Sequence, residues 1–334
     1  MFSFHTNHRL LLATIALVFF GLSVLVAILP AYTLQENNQA LPGALPPTEE
    51  EILGLQVYIE EGCVACHTQQ VRNIEMDNVW GKRPSIPSDY FYSKQRMSFW
   101  QQSPSLLGSE RTGPDLTNVG NRQASEDWQL LHLFNPRLVV KASVMPGFPW
   151  LFEEKSNPDE DDVVINVPKS YSRDTTKKVV ASEKALHLVA YLLSLKQVDI
   201  PDGKDFIPYK PKEKPLAIGG NEKESAFDGK ALYVTNCSPC HQQTGEGLPG
   251  AFPSLKGSPI VGKADPEMMI RIILQGYNAR EEYGVMPPFG KKLSSEEIAA
   301  IASYERSSWG NNSGKVEPDK VEAVKKKVEA EKIQ

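Results

Sequence analysis

Cysteine is scarce in this sequence, with 4 residues in a chain of 334. So few cysteines exclude a small fold that depends on many disulfide bonds. Long basic blocks are also absent, because 36 lysines and arginines face 41 aspartates and glutamates, for a net charge of −5. This balance gives no indication of a nucleic-acid partner. With 41% hydrophobic and 23% charged residues, the chain has the composition of a folded protein with room for two domains.

Long apolar runs are absent too, except for Leu10 to Leu29, which contains no charged residue. A helix of that length spans about 30 Å, the thickness of the hydrocarbon core of a bilayer. A cleaved signal peptide would have a shorter apolar region that ends in small residues, and no such site follows the run. We therefore predict a transmembrane helix at 10–29 in a bacterial inner (cytoplasmic) membrane, crossed once. Arg9 places residues 1–9 in the cytoplasm and the rest of the chain in the periplasm.

The remaining sequence divides by composition and motif into five parts. Polar, proline-bearing residues after the apolar run indicate a spacer, and a stretch rich in proline, lysine and glycine indicates a linker between two domains. The end of the chain, mostly lysine, glutamate and valine, is expected to be a solvated helix or a disordered segment. The predicted bounds are 30–47 for the spacer, 48–198 for domain 1, 199–220 for the linker, 221–310 for domain 2 and 311–334 for the charged tail.

The two domains repeat one helical arrangement. Capping boxes predict a helix that begins after Thr48 and another that begins after Ser294. In each domain, a glycine and a tyrosine in the pattern G-x-x-x-Y precede a pair of cysteines, and a further tyrosine lies on the closing helix. The glycine would allow two helices to cross closely, with the rings beside it. These residues are Gly54, Tyr58 and Tyr191 in domain 1, and Gly229, Tyr233 and Tyr304 in domain 2.

All four cysteines belong to two identical motifs. Cys-x-x-Cys-His is the attachment signature of c-type haem, because two thiols one helical turn apart reach the two vinyl groups of a porphyrin and the next imidazole faces the iron. A thioredoxin-like redox pair needs no histidine, and a zinc site built from both pairs would make both histidines coincidental. We therefore predict two covalently attached c-type haems. The motifs are Cys63, Cys66 and His67 in domain 1, and Cys237, Cys240 and His241 in domain 2.

Each iron also needs a sixth ligand or an open position. Met145 and Met286 both lie in Val-Met-Pro segments, where proline restricts the loop that carries the thioether. Ligation by histidine and methionine raises the reduction potential and suits electron transfer. Met76 and Met97 are alternatives for the first haem. The predicted iron ligands are His67 with Met145 and His241 with Met286.

Further residues are expected around the two histidines. The second ring nitrogen of a metal-bound histidine commonly donates to a backbone carbonyl, and the proline segments 113–116 and 252–255 are the candidates. His132 and Arg137 have two interpretations, a contact with haem propionates or an ordinary surface position. Two six-coordinate irons would leave no position for a substrate, so we predict electron transfer without enzymatic activity of the chain itself.

Several motifs follow one another in the first half of the chain. They are 58–72 around the first cysteine pair, 111–116, 127–128 with 132–133, 135–137 and 143–151. With these motifs, residues 25–150 resemble the membrane-anchored monohaem subunit (subunit II) of cbb3-type cytochrome c oxidases. The resemblance implies His67 and Met145 as axial ligands and electron delivery to a haem–copper catalytic subunit that reduces oxygen. It implies as partners that subunit, the other oxidase subunits, and cytochrome c or a cytochrome bc complex as donor.

The second half departs from that resemblance, since such subunits usually end after one haem domain. Residues 225–310 are similar to class I cytochromes c, and this domain would replace a separate dihaem subunit or a soluble donor. The charged insert 152–180 also lies outside the pattern. The expected fold is therefore mainly α, with a transmembrane helix followed by two cytochrome c domains.

The predicted function is that of a membrane-anchored dihaem cytochrome that serves a cbb3-type terminal oxidase in aerobic respiration. The electron-transfer subunit of a nitric oxide reductase or of a periplasmic dehydrogenase would carry similar haems and is the alternative. A dihaem peroxidase would need one iron without a methionine, and both Val-Met-Pro segments disfavour it.

Overall fold

The computed structural model of the chain describes residues 4–37, 39–92, 108, 110–168, 171, 174–200, 227–280 and 283–331. Met97 and most of the predicted linker lie outside the described residues. The fold is mainly α, as predicted. The helices are α1 His8–Ser23, α2 Leu29–Asn37, α3 Glu49–Glu60, α4 Val119–Arg122, α5 Glu126–Phe134, α6 Glu183–Ser194, α7 Gly229–Asn236, α8 Ser238–His241, α9 Glu267–Gln275, α10 Ser295–Ser307 and α11 Pro318–Glu331. The strands are β1 Phe152–Lys155, β2 Val164–Ile165 and β3 Lys178–Ala181.

The N-terminal apolar run forms a continuous helical segment. A π-helical turn, Val24–Ile28, joins α1 to α2. The part His8–Thr33 is long and apolar enough to cross a membrane, with a mean hydropathy of 2.8 and no burial against the rest of the chain. The helix continues past Pro30 to Asn37, so the first part of the predicted spacer is helical. The π turn lies where the proline ring would otherwise meet the carbonyl four residues earlier, which explains why the helix does not stop there.

Domain 1 is built on the crossing of α3 and α6. The predicted capping box is present at the start of α3. At the crossing, a Cβ atom on Gly54 would lie 1.9 Å from the carbonyl oxygen of His187, so no other residue allows this approach. The rings of Tyr58 and Tyr191 pack beside the glycine with centroids 5.4 Å apart. The predicted role of the glycine and the two rings is confirmed in domain 1.

The insert after residue 151 contributes a small antiparallel sheet to domain 1. Its strand order is β1-β3-β2, with Phe152 opposite Ala181 and Val164 opposite Val180. The buried face of this sheet belongs to the same apolar core as α3, α5 and α6. Strands of two to four residues without alternating burial leave no clear sequence signal, which is why the charged composition of the insert did not reveal them.

Domain 2 repeats the helix crossing with α7 and α10. A Cβ atom on Gly229 would lie 2.3 Å from the carbonyl oxygen of Ala300. The rings of Tyr233 and Tyr304 are 5.3 Å apart, and Trp309 joins them at 5.0 Å from Tyr233. The capping box predicted for α10 is also present. Both domains therefore use a glycine and paired rings to hold the helix that precedes each cysteine pair.

The charged tail differs from the expectation of a solvated or disordered segment. Its helix α11 packs on α9 and α10 through Val321, Val324 and Val328, which are at most 5% exposed. The three valines follow one another at i, i+3 and i+7, so they form one apolar face. The rim of this contact is polar, with Arg271 bound to Glu331 at 2.7 Å. Because lysine and glutamate dominate the composition of the tail, that composition did not predict the narrow stripe of valines, which is sufficient for packing.

The two domains contact each other through α5 of domain 1. One apolar cluster joins side chains from both domains, namely Leu131, Leu138 and Val139 with Ala251 and Phe252. The indole Nε1 of Trp128 donates to the carbonyl oxygen of Pro239 at 3.0 Å. The carboxylate of Asp127 accepts from the backbone N of Val285 at 2.8 Å. Helix α5 therefore lies beside the segment between the cysteines of domain 2 and beside the segment that carries Met286.

Candidate haem sites

Domain 2 contains a cavity of about 410 Å³ that residues of both domains line. Cys237, Cys240, His241 and Met286 all reach it. Ile273 and Ile301 contribute apolar walls, and residues 121–125 of domain 1 complete the lining. The volume lies within the range of cofactor pockets, which are mostly apolar with a few polar groups. The residues present in this cavity fit a covalently held haem.

The imidazole of His241 is oriented by one backbone carbonyl. Its Nδ1 lies 2.9 Å from the carbonyl oxygen of Pro253. A carbonyl oxygen only accepts, so Nδ1 carries the proton and Nε2 keeps a free electron pair for a metal. Burial lowers the pKa of His241, which keeps the ring neutral. The prediction that the segment 252–255 supplies this carbonyl is confirmed.

The segment that carries Met286 is fixed to the end of α9. Met286 donates its N–H to the carbonyl oxygen of Tyr277 at 2.9 Å, and Tyr277 donates to the carbonyl oxygen of Met286 at 3.0 Å. Gly276 precedes this pair with a φ of +76°, and a Cβ there would lie 2.4 Å from the carbonyl oxygen of Met286. Only glycine satisfies both conditions. The thioether is thus presented to the cavity by a constrained backbone.

The imidazole of His67 in domain 1 has the same arrangement. Its Nδ1 lies 2.7 Å from the carbonyl oxygen of Pro114, and burial lowers its pKa. Gly113 lies flat against the ring, since a Cβ on it would be 2.3 Å from Cε1 of His67. The prediction that the segment 113–116 orients His67 is confirmed. The close approach of Gly113 to the His67 ring is a steric requirement for glycine that the sequence alone did not reveal.

A buried carboxylate fastens the residues after His67 to this proline segment. Asp115 accepts from Oγ1 of Thr68 at 2.6 Å and from the backbone N of Gln70 at 2.7 Å. It also accepts from the backbone N of Thr117 at 2.9 Å. Three such donors satisfy a carboxylate that is only 1% exposed. The backbone on both sides of the His67 ring is therefore tied to one side chain.

Met145 lies at the edge of the domain 1 core. Its side chain and that of Cys63 pack against the same apolar cluster. Its carbonyl oxygen accepts from the guanidinium of Arg137 at 3.3 Å, and its backbone N donates to Oγ of Ser143 at 3.3 Å. Met76, an alternative ligand, is 70% exposed and does not share that environment. Met145 therefore stays the predicted ligand in domain 1.

Three of the four cysteine side chains, those of Cys63, Cys237 and Cys240, have raised thiol pKa values. Burial raises the pKa of Cys63 and of Cys240 to about 12, and that of Cys237 well above its usual range. A thioredoxin-like pair instead requires a lowered pKa. Among the residues that the structure describes, no three His, Cys, Asp or Glu side chains cluster around a common metal position. The four-ligand zinc site is thus not assembled in that part of the chain.

His132 and Arg137 lie in different environments, although they are only five residues apart in the chain. The ring of His132 stacks on Trp128 with a centroid distance of 4.6 Å and an interplanar angle of 10°, and its Nδ1 is buried. His132 as a whole is half-buried, so both of its interpretations stay predictions. Arg137 is exposed, but its guanidinium contacts the carbonyl oxygen of Met145.

Two charged residues near the domain 2 cavity were not predicted. Arg122 of domain 1 lines the cavity; it donates to the carbonyl oxygen of Asp115 at 2.8 Å and lies over the ring of Trp80 at 4.9 Å. Burial lowers its pKa to about 10. Glu305 on α10 also lines the cavity and is only 4% exposed. A single arginine or glutamate has no sequence pattern that reports burial, so neither could have been found without the fold.

Two family models match this chain, one for each half. Residues 3–197 match the cytochrome c oxidase mono-haem subunit, FixO, and this match covers more than half of the chain. The chain belongs to the FixO family. Residues 224–304 match the cbb3-type cytochrome c oxidase subunit III. The predicted resemblance to a cbb3-type monohaem subunit with a second cytochrome c domain is confirmed.

Curated relatives include cytochromes from two kinds of protein. The cytochrome c subunit of a quinone alcohol dehydrogenase from Gluconacetobacter polyoxogenes is 33% identical over 132 residues, 38% of this chain. This chain spans only 27% of the length of that relative. Cytochrome c-552 of Thermus thermophilus is 38% identical over 105 residues, 29% of this chain and 69% of the relative. The fructose dehydrogenase cytochrome subunit of Gluconobacter japonicus is 38% identical over 106 residues, 29% of this chain and 22% of that subunit.

Membership of the FixO family, together with the match of residues 224–304 to subunit III, defines the chemistry of the chain at a coarse level. Cytochrome c domains hold haem covalently, so its two domains carry two c-type haems. The chain is a cytochrome c electron-transfer subunit, and its family associates with an oxidase complex. Its N-terminal apolar helix has the length and composition of a membrane anchor.

Proposed function

We propose that this FixO chain delivers electrons to the haem–copper catalytic subunit of a cbb3-type terminal oxidase in aerobic respiration. Electrons enter at domain 2, pass to domain 1 and leave for the catalytic subunit. The observation that carries this proposal is the match of residues 3–197 to the mono-haem oxidase subunit in a chain that also contains a second cytochrome c domain. The donor is cytochrome c or a cytochrome bc complex.

The proposed iron ligands are His67 with Met145 in domain 1 and His241 with Met286 in domain 2. Each histidine has its Nδ1 proton bound to a carbonyl oxygen, which directs Nε2 toward a metal. Each methionine comes from a segment that hydrogen bonds restrain. When bound, the haem supplies a one-electron iron couple, and sulfur ligation raises its potential. Cys63, Cys66, Cys237 and Cys240 are the proposed attachment points.

The order of electron flow follows from tethering. Domain 1 is joined to the apolar helix α1–α2 by only the residues between Asn37 and Glu49, whereas domain 2 follows domain 1 in the chain. We place the helix in the bacterial inner membrane with both domains in the periplasm, on the basis of Arg9 before the span. Domain 1 is then held next to membrane-embedded partners, and domain 2 is the more accessible to a donor.

The identity of the partner is tested by purification of the tagged chain from native membranes in mild detergent. We expect the haem–copper subunit in the same complex, with oxygen consumption that depends on the chain. A quinone- or flavin-dependent dehydrogenase in place of that subunit would contradict the oxidase role. Recovery of a nitric oxide reductase would contradict it as well.

The order of the two sites is tested by replacement of Met286 with leucine in the tagged complex. We expect slow reduction by the donor, while the oxidation of the haem in domain 1 by oxygen keeps its rate. Met268→Leu is the matched control, because Met268 lies on α9 and is 49% exposed. A variant that takes up electrons normally but no longer passes them to oxygen would reverse the order.

The ligand assignment is tested separately with the purified oxidised chain. The sulfur-to-iron charge-transfer band should correspond to two methionine ligands for two haems, and each of Met145→Leu and Met286→Leu should remove half of it. A high-spin iron in the unmodified chain would contradict two methionine ligands and favour a dihaem peroxidase.

A second candidate is the cytochrome subunit of a periplasmic dehydrogenase. It is favoured by the identities of 33% and 38% to the cytochrome subunits of an alcohol and a fructose dehydrogenase. The short shares of those relatives that align, 27% and 22%, weaken this candidate. Reduction of the chain by a sugar or alcohol in native membranes, with loss of reduction when the dehydrogenase is deleted, would support it.

A further inference from the structure

The segment that carries Met286 is held by backbone donors at three consecutive residues. Gly284 donates its N–H to the carbonyl oxygen of Ala251 at 2.8 Å, and Met286 donates to the segment that follows α9 at 2.9 Å. Both of these acceptors belong to domain 2. The middle donor, Val285, binds a side chain of domain 1 instead, because the carboxylate of Asp127 accepts its N–H at 2.8 Å. One of the three bonds that fix this segment therefore comes from the other domain.

The two residues after Met286 cannot add bonds of this kind. Both positions in 287–288 are prolines, which have no backbone N–H. The next donor along the chain is Phe289, which binds a carbonyl oxygen of α9 at 2.9 Å. The side chain of Val285 is 46% exposed, so the backbone bond, rather than burial, holds this residue in place. The carboxylate from domain 1 therefore supplies the fixed point directly before the thioether.

The chain around Asp127 is shaped for this contact. A Cβ atom on Gly284 would lie 2.9 Å from the Cβ and Cγ atoms of Asp127, so the glycine lets the methionine segment come this close. Asp127 lies in the first turn of α5, after the N-cap residue Ser125. The start of a helix favours a carboxylate through its free backbone N–H groups and its dipole. The space beside Gly284 and the start of α5 together favour an aspartate at this position.

The next residue, Trp128, contacts the other segment of domain 2 that would hold the haem. Its Nε1 donates to the carbonyl oxygen of Pro239 at 3.0 Å, and Pro239 lies between Cys237 and Cys240. Two thioether bonds would join that cysteine segment to the porphyrin. The methionine segment would be joined to the haem only by the ligand itself. Its position therefore depends more on hydrogen bonds than the position of the cysteine segment does.

We infer that Asp127 of domain 1 is a positioning residue for the iron ligand of domain 2. Through the backbone of Val285 it holds the Met286 thioether in the cavity of domain 2. A thioether that is already held in place loses less conformational entropy when it binds iron, and sulfur ligation raises the reduction potential. Domain 1 therefore controls the ligation of the second haem and, through it, the potential. This inference rests on the proposed assignment of Met286 as an iron ligand.

The test measures how readily imidazole replaces the methionine ligands in the purified, oxidised full-length holoprotein. Imidazole competes with a thioether for ferric iron, so its apparent affinity rises when the thioether is held less firmly. Loss of the sulfur-to-iron charge-transfer band follows the exchange, and the phase that is absent from Met286→Leu is assigned to domain 2. We expect Asp127→Ala to raise the imidazole affinity of this phase about tenfold, which corresponds to about 1.4 kcal/mol. The phase of domain 1 should not change.

Matched variants isolate the hydrogen bond to Val285. Asp127→Asn keeps an oxygen acceptor for this N–H, so it should restore most of the original resistance to imidazole. Gly284→Ala would push the methionine segment away from the carboxylate, so it should raise the imidazole affinity in the same direction as Asp127→Ala. Glu126→Ala is the control, because Glu126 lies in the same turn of α5 but is exposed. Urea unfolding of every variant checks that both domains stay folded.

Trp128→Phe separates the position of the methionine from the docking of the two domains in general. It removes the bond to Pro239 and keeps the bond to Val285, so the imidazole affinity of domain 2 should stay close to that of the unmodified chain. An increase as large as that of Asp127→Ala would overturn the inference. An unchanged affinity in Asp127→Ala would overturn it as well, while the proposed ligand stands. A charge-transfer band left intact by Met286→Leu would instead contradict the proposed ligand, and the inference with it.

Discussion

At the scale of single residues, both histidines proposed as iron ligands are oriented by the carbonyl oxygen of a proline. His67 is oriented by Pro114 and His241 by Pro253. A proline has no N–H of its own, so its segment cannot join a regular backbone ladder, and its carbonyl stays available for the imidazole. The tautomer that this bond selects is the one that leaves Nε2 free.

The glycine before Pro114 gives a residue-scale prediction. Gly113→Ala would place a Cβ 2.3 Å from Cε1 of His67, so the ring must move away from its carbonyl partner. We expect a loss of about 1–3 kcal/mol in the stability of domain 1, as for other overpacked sites, and a perturbed spectrum of one haem of the two. Urea unfolding and the visible spectrum measure both effects. Gly21→Ala, where no atom lies within 4 Å, should change neither.

The buried glutamate on α10 gives a second residue-scale prediction, which concerns pH. Burial raises the pKa of Glu305 to about 8, so the folded state holds this proton more tightly than the unfolded state does. The contribution to stability is complete below the ordinary glutamate pKa of about 4.3. It is lost as the pH rises toward 8, with a slope of at most about 1.4 kcal/mol per pH unit.

We therefore expect Glu305→Gln to flatten the fall in the free energy of unfolding of domain 2 between pH 5 and pH 8. Urea unfolding at several pH values measures this slope. Glu296→Gln, on the same helix but exposed, should keep the slope of the unmodified chain. If Glu305→Gln kept the slope as well, Glu305 would be ionised throughout that range.

At the scale of elements, α5 and α11 make packing contacts that their composition does not predict. Helix α5 packs inside domain 1 through Leu130 and Leu133 and reaches domain 2 through Trp128 and Leu131. It therefore buries more than one face. Helix α11 is mostly charged, yet a single stripe of valines covers α9 and α10. An amphipathic helix needs only such a stripe to pack.

The packing of α11 gives a prediction at this scale. Val324 is 1% exposed, so Val324→Ala should destabilise domain 2 by about 1.5–3 kcal/mol through reduced burial and a cavity. Thermal and urea unfolding measure the change. Lys326→Ala is exposed on the same helix and should stay within about 0.5 kcal/mol of the unmodified chain. Equal stability of all three proteins would show that α11 does not support domain 2.

At the scale of the whole molecule, the cavity of domain 2 is completed by domain 1. Residues 121–125 line it, and the half-buried Arg122 brings a positive charge to its wall. The end of α4 and the segment before α5 therefore contribute to the environment of the second haem. Two domains that met only through a linker would leave this edge of the cavity open to solvent.

The sequence by itself determined the local chemistry of this protein. The two Cys-x-x-Cys-His motifs, the apolar run, the capping boxes, and the two pairs of glycine and tyrosine are short-range patterns, and spacing is enough to interpret them. It also indicated the proline segments that orient His67 and His241. Each pattern is recognised from residues that lie close together in the sequence, even where the contact that it predicts, such as that of Pro114 with His67, spans 47 positions.

The tertiary structure determined the features that depend on contacts between residues distant in the chain. The burial of Glu305 and of the Nδ1 atom of His132, the small sheet in the insert, the packing of α11 and the contact between domains all depend on residues far apart in the chain. Trp128 and Pro239 are the clearest case, because 111 residues separate them. No local period encodes such a pair, since its partners are selected by the shapes of two folded domains.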